Sequence, residues 1–166
     1  MNSISIIINW SGPYSFDQAC QEEKQGLYLV HGRNRNGKKP NCKKFLYCGI
    51  SERNVGKRIS EHHWESYNHL ENFWWIGRQA FPKRKSRVFL ELAEWIIIYF
   101  AGPEHNWKKI QNPPSQEVFL INEWYFPCGE KRRMKNVGVM QDFSDVICWS
   151  PNSGLVREGN LAVWNL

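Results

Sequence analysis

Nothing in this 166-residue chain is long and apolar enough to cross a bilayer. The longest apolar stretch, residues 95–102, falls far short of the roughly 18 residues a spanning helix needs, so no membrane partner is expected. Paired cysteine motifs are missing as well. Cys20, Cys42, Cys48, Cys128 and Cys148 form an odd set with no CxxC pair and no secretory leader ahead of them. That pattern fits free thiols in a reducing cytoplasm better than a disulfide scaffold. Internal repeats, low-complexity tracts and zinc-finger, helix-turn-helix or helix-hairpin-helix signatures are also absent. A zinc centre built from His62, His63, His69 and cysteines is disfavoured, because no pair has the ligand spacing of structural zinc.

Acidic residues are the minority charge. Sixteen Asp and Glu face 22 Lys and Arg, a net +6 at pH 7 that favours a polyanionic partner. The excess is clustered. Arg33, Arg35, Lys38, Lys39, Lys43 and Lys44 form one group, Lys83, Arg84, Lys85 and Arg87 a second, and Lys131, Arg132, Arg133 and Lys135 a third. Each could equally be a solvated loop. Aromatic residues make up 14% of the chain and include nine tryptophans, most of them expected in the core. Trp74, Trp75 and Trp107 are candidates for stacking on nucleobases instead.

The length suits one well-buried core with an appendage. Isoleucine-rich residues 3–10 read as a strand ended by Ser11-Gly12-Pro13, followed by a short helix within 14–24 capped by Ser15. Residues 26–31 and 43–50 read as a hairpin with a long basic tip carrying the Asn36-Gly37 turn signal. Residues 54–64 put Val55, Ile59 and His63 on one helical stripe, with Arg58 and His62 one turn apart on the next. A third strand is expected over 72–78. A helix over 87–100 follows, capped by Ser86 and stopped at Gly102-Pro103. Beyond Asn112-Pro113-Pro114 the pattern turns β-like, at 118–126, 137–140, 145–149 and 161–164.

Across these elements runs an ordered series: Gly26-Leu27-Tyr28, Tyr47-Cys48-Gly49-Ile50-Ser51, Arg58 with His62, then Glu94 and Asn106. In this order the residues resemble the GIY-YIG nuclease domain. Gly26-Leu27-Tyr28 stands for the first triplet and Tyr47-Cys48-Gly49 for the second. Arg58 stands for the arginine that follows, His62 for the polar residue one turn later, Glu94 for the metal-binding glutamate and Asn106 for the asparagine beyond its helix. Leu27 and Cys48 depart from the family's isoleucines, and the triplets lie further apart than is common. No catalytic group is lost by either change.

The resemblance covers residues 26–106 and implies an α/β (α+β) domain, a small antiparallel three-stranded sheet flanked by helices. Residues 1–25 would add an N-terminal strand and helix, 26–109 would form the nuclease domain, and 110–166 would pack on it as a β-rich extension. The implied activity is endonucleolytic cleavage of phosphodiester bonds in DNA, in preference to RNA, with Mg²⁺ or Mn²⁺ bound by Glu94. Tyr28, Tyr47, Arg58, His62 and Glu94 would be catalytic, with Gly26, Gly49 and Asn106 supporting the site. The basic residues Arg33, Arg35, Lys38, Lys39, Lys43, Lys44, Lys83, Arg84 and Lys85 would bind nucleic acid. The absence of further domains points to the restriction or mobile-element defence branch, and a homodimer would explain symmetric double-strand cleavage.

Physical chemistry supports several of these assignments independently. Phosphodiester hydrolysis needs a nucleophilic water, neutralisation of charge on the phosphoryl oxygens and help for the leaving oxygen. Glu94 is the one charge between Leu92 and Pro103, so it must be paired or coordinating unless it turns to solvent or to Arg87. One carboxylate with waters and phosphate oxygens suits a hard cation, and Glu91 is the fallback ligand. Arg58 can clamp a phosphate through two donors, or pair with Glu61 or Glu52. Tyr28, with an ordinary pKa near 10, is a base only if cations lower it; otherwise it orients the water, and either tyrosine could simply pack in the core. His62 titrates near neutrality and suits a proton relay. Asn106 can hold backbone or Glu94, or touch phosphate. The competing function is a nucleic-acid-binding module on the same scaffold, without turnover.

Overall fold

The computed structural model describes residues 3–34, 43–61, 70–84, 86–132 and 143–161. It begins with β1 (Ile4–Tyr14), whose alternate residues Ile6, Ile8 and Trp10 are fully buried, as the two-residue period of a strand requires. The strand does not end at Ser11-Gly12-Pro13. A register shift between Ser11 and Tyr14 absorbs the Gly-Pro step, and Tyr14 still pairs with Trp74. Helix α1 (Phe16–Cys20) follows, its start fixed by a capping box in which Ser15 and Gln18 each satisfy the other's backbone N–H.

Strands β2 (Gly26–Asn34) and β3 (Lys43–Ser51) form the antiparallel hairpin, and α2 (Val55–Glu61) packs Val55 and Ile59 inward. Next come β4 (Leu70–Phe81) and α3 (Arg87–Ala101), the latter capped by Ser86 and closed by a left-handed Gly102. The chain continues through β5 (Val118–Tyr125), β6 (Val146–Ser150) and β7 (Leu155–Gly159). The expected runs at 137–140 and 162–164 lie outside the described residues.

The expected small three-stranded sheet flanked by helices is overturned. The seven strands of the described residues form one mixed, curled sheet in the order β3-β2-β4-β1-β5-β6-β7, and the described residues are mostly β with few, short helices. The reason lies in β4, whose two edges are both used, by β2 on one side and β1 on the other. Strand β1 then pairs in parallel with β5, over Ile4↔Val118 to Ser11↔Tyr125, and β6 and β7 extend the sheet antiparallel from there. The residues of the GIY-YIG-like series therefore sit at one end of a larger sheet, with β3 as its terminal strand.

Two apolar layers cover the sheet. On one side α3 packs Leu90, Ala93, Ile96 and Ile97 against Ile6, Ile8, Trp10, Leu29, Trp75 and Leu120. On the other, α1 and α2 cover Tyr28, Val30, Leu46, Trp74 and Ile76. Three indole N–H groups in the first layer are satisfied: Trp10 donates to Asn122 and Trp124 to Asp145, both at 2.8 Å, and Trp149 donates to the Pro114 carbonyl, whereas the buried Trp75 indole nitrogen has no hydrogen-bond partner among the described residues. Trp74 and Trp75 are fully buried core residues, which excludes the base-stacking role considered for them. Trp107 is 86% exposed.

Candidate active site

Pairing of β2 with β3 sets Tyr28 opposite Gly49, and the tyrosine ring crosses the neighbouring strand at that point. A Cβ on Gly49 would lie 2.6 Å from Tyr28 Cζ and 2.7 Å from Tyr47 Cε1, so the glycine makes room for both rings. Those rings stack at 5.8 Å with 27° between their planes. Gly26 answers a similar need, because a Cβ there would collide with the carbonyl of Gly77 on β4.

Tyr28 is fully buried, and its phenol is hydrogen-bonded to that of Tyr47. Burial pushes the Tyr28 pKa well above its ordinary value, the Tyr47 ring adds to the rise, and the Arg58 charge opposes it without reversing it. A phenol held protonated in this way is a donor and not a base at neutral pH. Tyr47 is half-buried, and its pKa is also raised, first by burial and then by the negative charge of Glu94; the bond with Tyr28 and the charge of Arg58 act against the rise.

Arg58 lies on the outer face of α2 with about half its side chain, 48%, in solvent. Its partner Glu61 is 3.9 Å away, an exposed contact worth well under about 1 kcal/mol, which leaves the guanidinium available. Glu52 is engaged elsewhere: Arg87 binds it at 2.8 Å and Glu91 at 2.6 Å. A polar cleft lined by Arg53, Lys57, Arg58 and Arg87, with Glu52 and Glu61 on its walls, opens beside Ile50 and Ser51.

Glu94 approaches the same strand from the α3 side. Its side chain is only 12% exposed, and Oε2 accepts a hydrogen bond from Lys109 Nζ at 2.5 Å. A backbone N–H of Ile50 donates to the carboxylate as well. Burial raises the Glu94 pKa, Lys109 and the Ile50 N–H pull it down, and Glu91 adds a smaller upward push. Of the alternatives open from sequence, pairing is realised, with Lys109 and not Arg87 as partner. Lys109 was not among the sequence candidates. It takes a left-handed φ of 66°, a rare conformation for a residue with a side chain, and also reaches the Glu91 carbonyl at 3.4 Å.

Asn106 completes the arrangement. Its amide is fully used on one β3 residue: Oδ1 accepts from Cys48 N and Nδ2 donates to Cys48 O, each at 2.8 Å. Glu104 and His105 donate their backbone N–H groups to the Phe45 and Leu46 carbonyls. The turn after α3 thus behaves as a short extra strand along the free edge of β3, covering groups that would otherwise be open to pairing.

His62, Arg35, Lys38, Lys39 and Lys85 lie outside the described residues. Arg33, Lys43 and Lys44 are placed by backbone at the far ends of β2 and β3, with Arg33 opposite Lys43. Lys83 and Arg84 are exposed between β4 and α3. Two cations of the third cluster serve the fold: Lys131 binds Glu123 at 2.6 Å, and Arg132 lies 3.8 Å above the Phe126 ring while donating to Gly12 O. Among the described residues no group of three or more His, Cys, Asp or Glu could hold a metal, so a multidentate protein cage is not found there. A hard cation that needs one protein carboxylate and fills its other positions with water and phosphate fits Glu94, provided Lys109 releases Oε2. Among the described residues no helix is long and apolar enough to cross a membrane. No family model matches the chain, and neither comparison with curated proteins nor comparison with solved structures finds a match.

Proposed function

We propose that this protein is a divalent-metal-dependent endonuclease of the GIY-YIG type acting on DNA. The observation carrying the proposal is the convergence of the stacked Tyr28–Tyr47 pair, Arg58 and Glu94 around one terminal strand, close enough that Tyr47 senses both charges. Arg58, half in solvent beside a cleft of cations, clamps the scissile phosphate. Tyr28, hydrogen-bonded to Tyr47, fixes its oxygen, and Tyr47 orients the attacking water. Proton transfer is assigned to His62, four residues past Arg58 in sequence. Mg²⁺ or Mn²⁺ held by Glu94, when bound, would neutralise charge on the phosphoryl oxygens and lower the pKa of a coordinated water. Asn106 acts by anchoring the turn that carries Lys109 to the strand that carries Tyr47.

Free thiols at Cys20, Cys48, Cys128 and Cys148 support a reducing, cytoplasmic setting as part of the proposal. Symmetric cutting of a duplex would require two copies, because each chain offers one such constellation. A restriction or mobile-element role belongs to the same proposal. One observation favours the binding-module alternative: Glu94 is already neutralised by Lys109.

A cleavage panel decides between them. Wild type, Glu94→Gln and Arg58→Ala are incubated with Mg²⁺ or Mn²⁺ and duplex DNA, single-stranded DNA or RNA, and the ends are mapped. Cutting by wild type and a loss of at least about 100-fold in either variant are expected. Salt-dependent binding with no cutting on any substrate would establish the module instead.

A further inference from the structure

Trp107 stands apart from the other tryptophans of the described residues. Trp10, Trp74, Trp75, Trp124 and Trp149 are buried, and Trp95 is half-buried with its indole N–H on the Asn112 carbonyl. Trp107 leaves 86% of its surface in water. An exposed indole forgoes the burial that normally makes tryptophan worth having in a chain, yet here residues on both sides are tied down through their side chains. Asn106 is tied twice to Cys48 of β3, and Lys109, two residues on, is tied to Glu94 and to the Glu91 carbonyl. The ring is therefore presented by a short, doubly anchored turn whose two anchors belong to the proposed active site.

We infer that Trp107 is a stacking platform for a nucleobase next to the scissile phosphate, and that the preferred substrate offers an unpaired or extruded base there. The inference rests on the nuclease proposal above and adds the form of the nucleic acid to it. Lys108, the next residue in the chain, is exposed and would supply a cation for the adjoining phosphate, a pairing of aromatic face and positive charge that suits single strands. A buried base edge is unnecessary, because every base has a face to stack.

The test is binding without metal, in EDTA, of a short single-stranded oligonucleotide carrying a fluorescent purine analogue, compared with the same sequence as a duplex. Wild type should quench the analogue and bind the single strand. Trp107→Ala should bind it about 5- to 150-fold more weakly and lose the quenching, Trp107→Phe should retain most of both, and duplex affinity should change far less. Thermal melting of Trp107→Ala should match wild type, since the ring buries little. Equal single-strand binding by wild type and Trp107→Ala would overturn the inference while leaving the nuclease proposal standing. So would normal nucleic-acid binding accompanied by a shift in the variant's sedimentation, which would assign the ring to a protein contact. Failure of wild type to bind any nucleic acid would overturn both.

Discussion

Lowering the pH destabilises this fold through His31. The imidazole is 3% exposed on β2 and stacks on Phe45 at 5.0 Å, and burial lowers its pKa from 6.5 to about 3. Its Nδ1 is buried with no hydrogen-bond partner among the described residues, so nothing in its surroundings rewards protonation. The unfolded chain takes up a proton near pH 6.5 that the folded chain refuses until about 3; stability from this residue is complete above 6.5 and is lost as pH falls through that window. At about 1.4 kcal/mol per pH unit, the loss near pH 5 is about 2 kcal/mol. Glu94 works in the opposite sense, because its pKa is raised from 4.5 and the folded state there holds a proton more readily than the unfolded one. His31→Phe keeps a flat ring against Phe45 and removes the titration, while both chains retain Glu94, whose contribution cancels. Urea unfolding followed between about pH 7 and pH 5 should show the variant gaining about 2 kcal/mol relative to wild type. Parallel stability curves would refute the argument that His31 is buried in its neutral form.

Lys109→Met leaves Glu94 buried without its ammonium partner and should cost about 2–3 kcal/mol near neutral pH, less in acid where Glu94 can take a proton. Adding Glu94→Gln should recover part of that loss, and chemical denaturation of the double-mutant cycle measures it; strictly additive losses would deny the pair. Gly49→Ala puts a methyl into the Tyr28 and Tyr47 rings and should destabilise by about 1–3 kcal/mol, visible as a lower melting temperature. An unchanged melting temperature would mean the rings do not cross at that strand. Asn106→Ala removes both hydrogen bonds to Cys48 and should cost about 2 kcal/mol, with faster amide exchange at Cys48 as the residue-level signature.

Much of the region around the site was legible because its signals are local. Ser86 and Gly102 bracket α3 as cap and stop, the hairpin follows from two β-rich runs around a polar tip, and the two triplets meet on it at one pair, Tyr28 opposite Gly49. The wider sheet was not legible. Parallel pairing of β1 with β5 joins residues more than a hundred positions apart, and nothing in residues 3–10 announces which strand they will meet. Strand β7 escaped for another reason: its residues 155–158 are all exposed, so no alternation marks it. Lys109 was hidden behind the series itself. A lone carboxylate on an apolar helix needs a partner, and the sequence offers Arg87 within the helix more visibly than Lys109, which lies beyond its end and is the residue that pairs with Glu94.

The terminal position of β3 gives these residues a common physical cause. An edge strand leaves every second residue with unpaired backbone groups, and here Leu46, Cys48 and Ile50 are the residues in question. His105 covers the first, the Asn106 amide the second and the Glu94 carboxylate the third. Residues that protect the edge are therefore the same ones that hold Glu94 beside β3, with Lys109 as counter-charge and Trp107 carried between the anchors. Fold and chemistry are linked at this strand, so a substitution that frees the edge should loosen the site in the same step. Replacing Arg58, whose side chain sits half in solvent, separates the two effects: the proposed cleavage activity should fall while unfolding stays within about 0.5 kcal/mol of wild type.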